Sequence, residues 1–140
     1  MTRFVLDASV AMAWCFPDEN DSYAGTVLQA LLESEAVAPA IWPLEVANAL
    51  TVAVRRKRLR PVEELRFLTL LEQLSVVIDI STAAHAFGKT LLLAREMGLS
   101  AYDASYLELA LRESVPLATL DAALRKAARK AGVEVFALAN

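Results

Sequence analysis

Short apolar runs alternate with longer helix-forming stretches along this chain, and that alternation admits few folds. Residues 4–6, 37–38, 76–80, 117–119 and 133–136 read as strands, the third of them a β-branched run. Between them the sequence predicts helices over 8–14, up to about 34, from Pro43 to the basic cluster near 55, over 61–74, 82–98 and 100–112, and over 121–130. Asp18 or Asn20 is the expected cap of the second helix, and Ser81 or Thr82 of the fifth. Gly98 suits a left-handed helix end. Strands separated by helices imply a parallel sheet covered on both faces, an α/β fold whose strand order periodicity does not fix. At 140 residues, without repeats or linkers, the chain predicts a single domain over 1–140.

Ligands of such sheets bind at the carboxyl ends of the strands, and acidic residues gather at those positions. Asp7 follows the first strand, Asp121 follows the fourth by two residues, and Asp103 and Glu45 lie in first turns of helices. Each has a structural alternative. Asp7 and Asp121 can cap the helices after them, Ser100 and Asp103 have capping-box spacing, and Glu45 complements a helix dipole. Four separate caps explain the set less well than one shared cause. Carboxylates that converge beside apolar neighbours repel one another and destabilise the fold unless a cation compensates them. The residues therefore predict a metal-dependent enzyme acting on phosphodiesters. Hard oxygen donors suit Mg²⁺ or Mn²⁺, not zinc. Asp7 and Asp103 are the expected primary ligands, Asp121 binds directly or through water, and Glu45 holds a water or a second ion. The hydroxyls of Ser9 and Thr119, each two residues from an acid, are expected to orient a carboxylate or to bond the local backbone. The stripe Glu45, Asn48, Ala49, Val52 and Arg56, opposite Val46, Leu50 and Val54, predicts a helix buried nearly all round.

Little else competes for chemistry. His85 has no neighbouring ligand, Cys15 has no activating base, and the 4 glycines form no phosphate loop. Trp14, Trp42, Phe16 and Tyr106 read as core or interface. Net charge is −3, from 14 bases against 17 acids; with the four candidate acids set aside, 14 bases face 13 acids, a balance of +1. The run RRKRLR places Arg55, Arg56 and Arg58 as candidate phosphate contacts. Arg125, Lys126, Arg129 and Lys130 read as a solvated helix end. The apolar segment over 36–54 is about the length of a membrane span, but Pro39, Pro43, Glu45 and Asn48 argue against one. Asp7 breaks an apolar N-terminus that otherwise imitates a signal peptide. A soluble, cytoplasmic protein with one unpaired thiol is expected.

The segments VLDASV, WPLEVANAL, AYDASYLELA and LATLDAALRKAA together resemble a PIN-domain ribonuclease, most closely the toxin of the VapBC toxin–antitoxin class, over essentially the whole length. The resemblance implies a three-layer α/β/α sandwich around a central, mostly parallel sheet. It also implies Mg²⁺ or Mn²⁺ and endonucleolytic cleavage of RNA. Asp7, Glu45, Asp103 and Asp121 fall on the family's acidic positions, and Thr119 on its hydroxyl position. A homodimer is implied, as is a cognate antitoxin whose C-terminal segment enters the groove. A receiver-like or catalytically inactive α/β module that binds nucleic acid or a partner is the alternative. A receiver would want paired acids beside the first strand, where Ala8 stands, and a late lysine that is not evident.

Overall fold

A computed structural model of the chain describes residues 2–16 and 21–137. Four strands, β1 (Arg3–Leu6), β2 (Glu35–Ala38), β3 (Val76–Ile78) and β4 (Leu117–Ala118), form one sheet in the order β3-β2-β1-β4. Every pairing is parallel: Phe4 faces Ala36, Ala36 faces Val76, and Val5 faces Leu117. Helices cover both faces, as the alternating pattern requires. They are α1 (Ala8–Cys15), α2 (Ser22–Ala30), α3 (Trp42–Arg55), α4 (Pro61–Gln73), α5 (Thr82–His85), α6 (Leu91–Met97), α7 (Ala101–Glu113) and α8 (Ala122–Lys130). α1 packs on α2, α3 and α4, while α7 packs on β1 and β4 and against α6 and α8. Phe4, Val5 and Leu6 have no exposed surface, so β1 is the floor of the core.

The order of the strands positions the site. From β1 the chain steps outward to β2 and β3, then returns to add β4 on the other side of β1. The carboxyl ends of β1 and β4 therefore flank the point where the winding reverses, which is where open α/β sheets leave a crevice.

Several expected elements differ. The third strand stops at Ile78, and Ile80 is 99% exposed. Residues 133–136 form no strand; Val135 alone bridges Leu117, and Phe136 stacks on Phe4 with centroids 3.9 Å apart. The helix expected over 82–98 breaks into α5, a π-helical turn (Ala86–Thr90) and α6. Gly88 adopts φ −107°, ψ −107°, outside the helical region, a conformation that its lack of a Cβ permits. Gly98 does end α6 with φ 65°. The Asp18 and Asn20 caps lie outside the described residues; α2 is capped by Asp21, which accepts from the Ala24 amide at 2.9 Å. The helix buried on every side is α7, where residues 104–110 are all buried. α3 buries only one face, through Trp42, Val46, Leu50 and Ala53, and exposes Leu44 and Val54.

Candidate metal centre

Asp7 leaves β1 at the crevice, and a cap of α1 is its structural alternative. Its carboxylate makes no hydrogen bond to that helix. Instead Oδ2 accepts from the Ser9 hydroxyl at 2.6 Å and from the Thr119 hydroxyl at 2.7 Å. Each hydroxyl is held in turn: Ser9 Oγ accepts from the Leu120 amide and Thr119 Oγ1 from the Asp121 amide, both at 3.0 Å. With donor and acceptor sides both used, the hydroxyls have one orientation available. Asp7 is 6% exposed and Thr119 has no exposed surface, so the network forms a buried floor linking the ends of β1 and β4. Asp7 Oδ1 receives no hydrogen bond among the described residues.

Glu45, in the first turn of α3, is half-buried, and its Oε1 accepts from the hydroxyl of Tyr106 on α7. Tyr106 has no exposed surface and lies close enough to Asp7 to feel its charge. Sequence reasoning passed over this residue as core. The one signal was chemical: a buried tyrosine hydroxyl needs a partner. Asp103 is half-buried in the first turn of α7; its amide donates to Ser100 Oγ at 3.1 Å, one half of the expected capping box. Asp121 is exposed, and its Oδ1 accepts from the Leu124 amide at 2.9 Å, so one of its oxygens does cap α8.

The four carboxyl groups act on one another. Burial pushes the Asp7 carboxyl above its usual range; the Ser9 and Thr119 hydrogen bonds oppose this, and repulsion from Asp103 and Asp121 adds to it. Burial also raises Glu45, the Tyr106 hydrogen bond opposes it, and the charges of Asp7 and Asp103 contribute. Asp103 is raised by burial and by the charge of Asp121. The fold therefore concentrates negative charge at one end of the sheet, at a cost that a bound cation would offset.

The donors fit a hard divalent ion, being all oxygen, with no histidine or cysteine among them. Among the described residues no three His, Cys, Asp or Glu side chains are arranged to hold one ion jointly. Mg²⁺ keeps several of its waters, so one or two direct carboxylates suffice, with the others acting through water.

Of the other candidates, Arg55 ends α3 and Arg56 caps it, both exposed, whereas the Arg58 guanidinium lies 4.4 Å from the centre of the Phe16 ring. Arg125 is not a solvated helix end: its Nε donates to the Thr119 carbonyl at 2.8 Å and its guanidinium lies 4.6 Å from the Tyr23 ring centre. Sequence reasoning also missed a second ionic group. Arg112 grips Asp79 with two hydrogen bonds of 3.1 and 2.7 Å and Glu108 with two of 2.9 and 3.0 Å. It joins α7 to the turn after β3, and the i,i+4 spacing of Glu108 and Arg112 was its only trace in the sequence.

A family model described as PIN domain matches residues 4–130. The chain is 30% identical over 119 residues to Ribonuclease VapC3 of Pyrobaculum aerophilum, which covers 85% of this chain and 89% of that protein. Two solved structures share the fold along nearly their whole length. VapBC2 from Rickettsia felis, bound to a DNA fragment from its promoter, superimposes with a TM-score of 0.68 at 12% identity, covering 96% of this chain and 97% of that one. FitAcB from Neisseria gonorrhoeae does so with a TM-score of 0.63 at 22% identity, covering 95% and 96%.

Proposed function

The chain belongs to the PIN-domain family, with a VapC ribonuclease among its relatives, and from that premise we propose that it is a metal-dependent endoribonuclease, the toxin of a type II toxin–antitoxin pair. The observation that carries the reading is the state of Asp7. It is buried, its side chain caps no helix, two satisfied hydroxyls fix it, and its charge interacts with those of Asp103, Asp121 and Glu45. A carboxylate so placed makes physical sense as the anchor of a cation.

Asp7 and Asp103 are the proposed direct ligands of Mg²⁺ or Mn²⁺, with Asp121 acting directly or through water and Glu45 holding a metal-bound water or a second ion. When bound, such an ion lowers the pKa of a water and stabilises charge at phosphorus. The chain's own residues do the rest. Ser9 and Thr119 hold Asp7 Oδ2 so that Oδ1 is left for the ion. Tyr106 holds one oxygen of Glu45 and leaves the other free to orient a water. The buried floor keeps these groups rigid, which limits the reorganisation needed during reaction.

The proposed substrate is RNA, with Arg55, Arg56 and Arg58 as contacts for its phosphates. A cognate antitoxin is the proposed partner, in keeping with the toxin–antitoxin assemblies that share this fold. The proposed state is a cytoplasmic homodimer. Ile80 and Phe87, 99% and 94% exposed, supply apolar surface for self-association, and no helix among the described residues is long and apolar enough to cross a membrane. The test is cleavage of RNA by the purified protein with and without Mn²⁺, beside Asp7→Asn and Asp103→Asn proteins shown folded by circular dichroism. Metal-dependent cleavage lost in both variants supports the reading; cleavage retained in both overturns the ligand assignment.

A further inference from the structure

A cavity of about 310 Å³ opens beside the acidic cluster, lined by Ile41, Leu44, Glu45, Asn48 and Tyr102. It shares Glu45 with the candidate metal centre, and Tyr102 immediately precedes Asp103. The two sites are therefore continuous.

Its lining selects its occupant. Glu45 is the sole charged group there, so the cavity offers no basic side chain to hold a phosphate. Ile41, Leu44 and the Tyr102 ring give it apolar walls, and Leu44 and Tyr102 remain 67% and 62% exposed. Asn48 is exposed, and its side-chain amide makes no hydrogen bond to a described residue, so it has both donor and acceptor to offer. An aromatic face, aliphatic walls and one amide suit a flat, uncharged ring with polar edges. In a nucleotide strand that ring is the base.

We propose that this cavity binds an unpaired nucleobase adjoining the phosphate that is cut, with Tyr102 as its stacking platform and Asn48 contacting its edge. The inference rests on the ribonuclease reading and deepens it by placing a base-reading subsite beside the phosphate that is cut. The same geometry makes Asn48 the residue through which one base is preferred to another.

The experiment maps the cut in a single-stranded RNA oligomer with Mn²⁺ and the intact protein. It then compares kcat/KM for that oligomer and for oligomers carrying an abasic residue on either side of the cut, using wild type, Tyr102→Ala and Asn48→Ala. Removing one flanking base should cost the wild type about tenfold or more, the order that base–aromatic stacking supplies. Tyr102→Ala should cost a similar factor on the intact oligomer and lose little more when that base is absent, since both changes remove one contact. Asn48→Ala should change which base is preferred beside the cut. Losses that multiply independently, or no loss from either change, overturn the proposal. So does unaltered RNA cleavage by Tyr102→Ala together with weakened capture of an antitoxin, which assigns the cavity to a partner's side chain. Absence of any cleavage by wild type sinks the ribonuclease reading itself, and cleavage without base dependence sinks only this inference.

Discussion

The Thr119 hydroxyl makes two short hydrogen bonds that belong to different tasks: it donates to Asp7 and accepts from the backbone of Asp121. Thr119→Val keeps the side-chain volume and removes both. It deprives the buried Asp7 carboxylate of one of its two hydrogen bonds, at about 1–3 kcal/mol by chemical denaturation. It also frees Asp7, so stabilisation of the protein by Mn²⁺ should fall, and Thr119→Ser should restore both. Tyr106 carries a comparable weight for Glu45. Burial raises the Glu45 carboxyl and the Tyr106 hydroxyl opposes that rise, so Tyr106→Phe should raise it further. A carboxyl raised in the folded state favours folding while protonated, and that contribution is lost as pH climbs through the folded value. Without metal, the Tyr106→Phe protein should therefore lose more thermal stability than wild type between pH 4.5, the ordinary value for the group, and neutrality. Equal losses in the two proteins would remove Tyr106 from this role. The acids were legible in the sequence because charge among apolar neighbours stands out. Tyr106 was not, since within SYLELAL a tyrosine reads as one more packing residue and its partner lies 61 positions away.

At the scale of elements, α7 is held by two different forces. Its buried faces pack on β1 and β4, and Arg112 at its end clamps Asp79 and Glu108. The Arg112 guanidinium holds the Asp79 carboxyl down at about 2, from an ordinary 3.8. A lowered carboxyl stabilises the fold while ionised, above the ordinary value, and the contribution disappears as pH falls towards the folded one. Asp79→Asn should therefore cost on the order of 1–3 kcal/mol near pH 6, as loss of charged hydrogen bonds does. The deficit should shrink steadily as pH falls from about 4 towards 2, as urea titrations across that range would show. The alternation of strands and helices was readable because apolar runs and helical periods are local signals. Three things were not. Strand order depends on which strand β1 meets in space, and the break at Gly88 sits among residues that otherwise favour helix. The last strand shrank to one bridge between Val135 and Leu117, while Val133 joins the core and Phe136 packs against it.

For the molecule as a whole, the balance between repulsion and cation binding should be visible in its stability. A ligand bound only by the folded state adds about 2.7 kcal/mol at a hundred times its dissociation constant. Mn²⁺ should raise the melting temperature of wild type in a saturable way, chelation should reverse the rise, and Asp7→Asn should abolish it. A melting temperature indifferent to Mn²⁺ would leave the convergence of carboxyl groups without a cation to explain it. One property of the architecture bears on when such a centre exists at all. Asp7 is pinned by a hydroxyl 112 residues further along the chain, and β1 acquires its second neighbour only from β4. While the polypeptide is being synthesised, the first acid thus emerges long before the groups that set it in place. A site built this way is not assembled until almost all of the chain has been made.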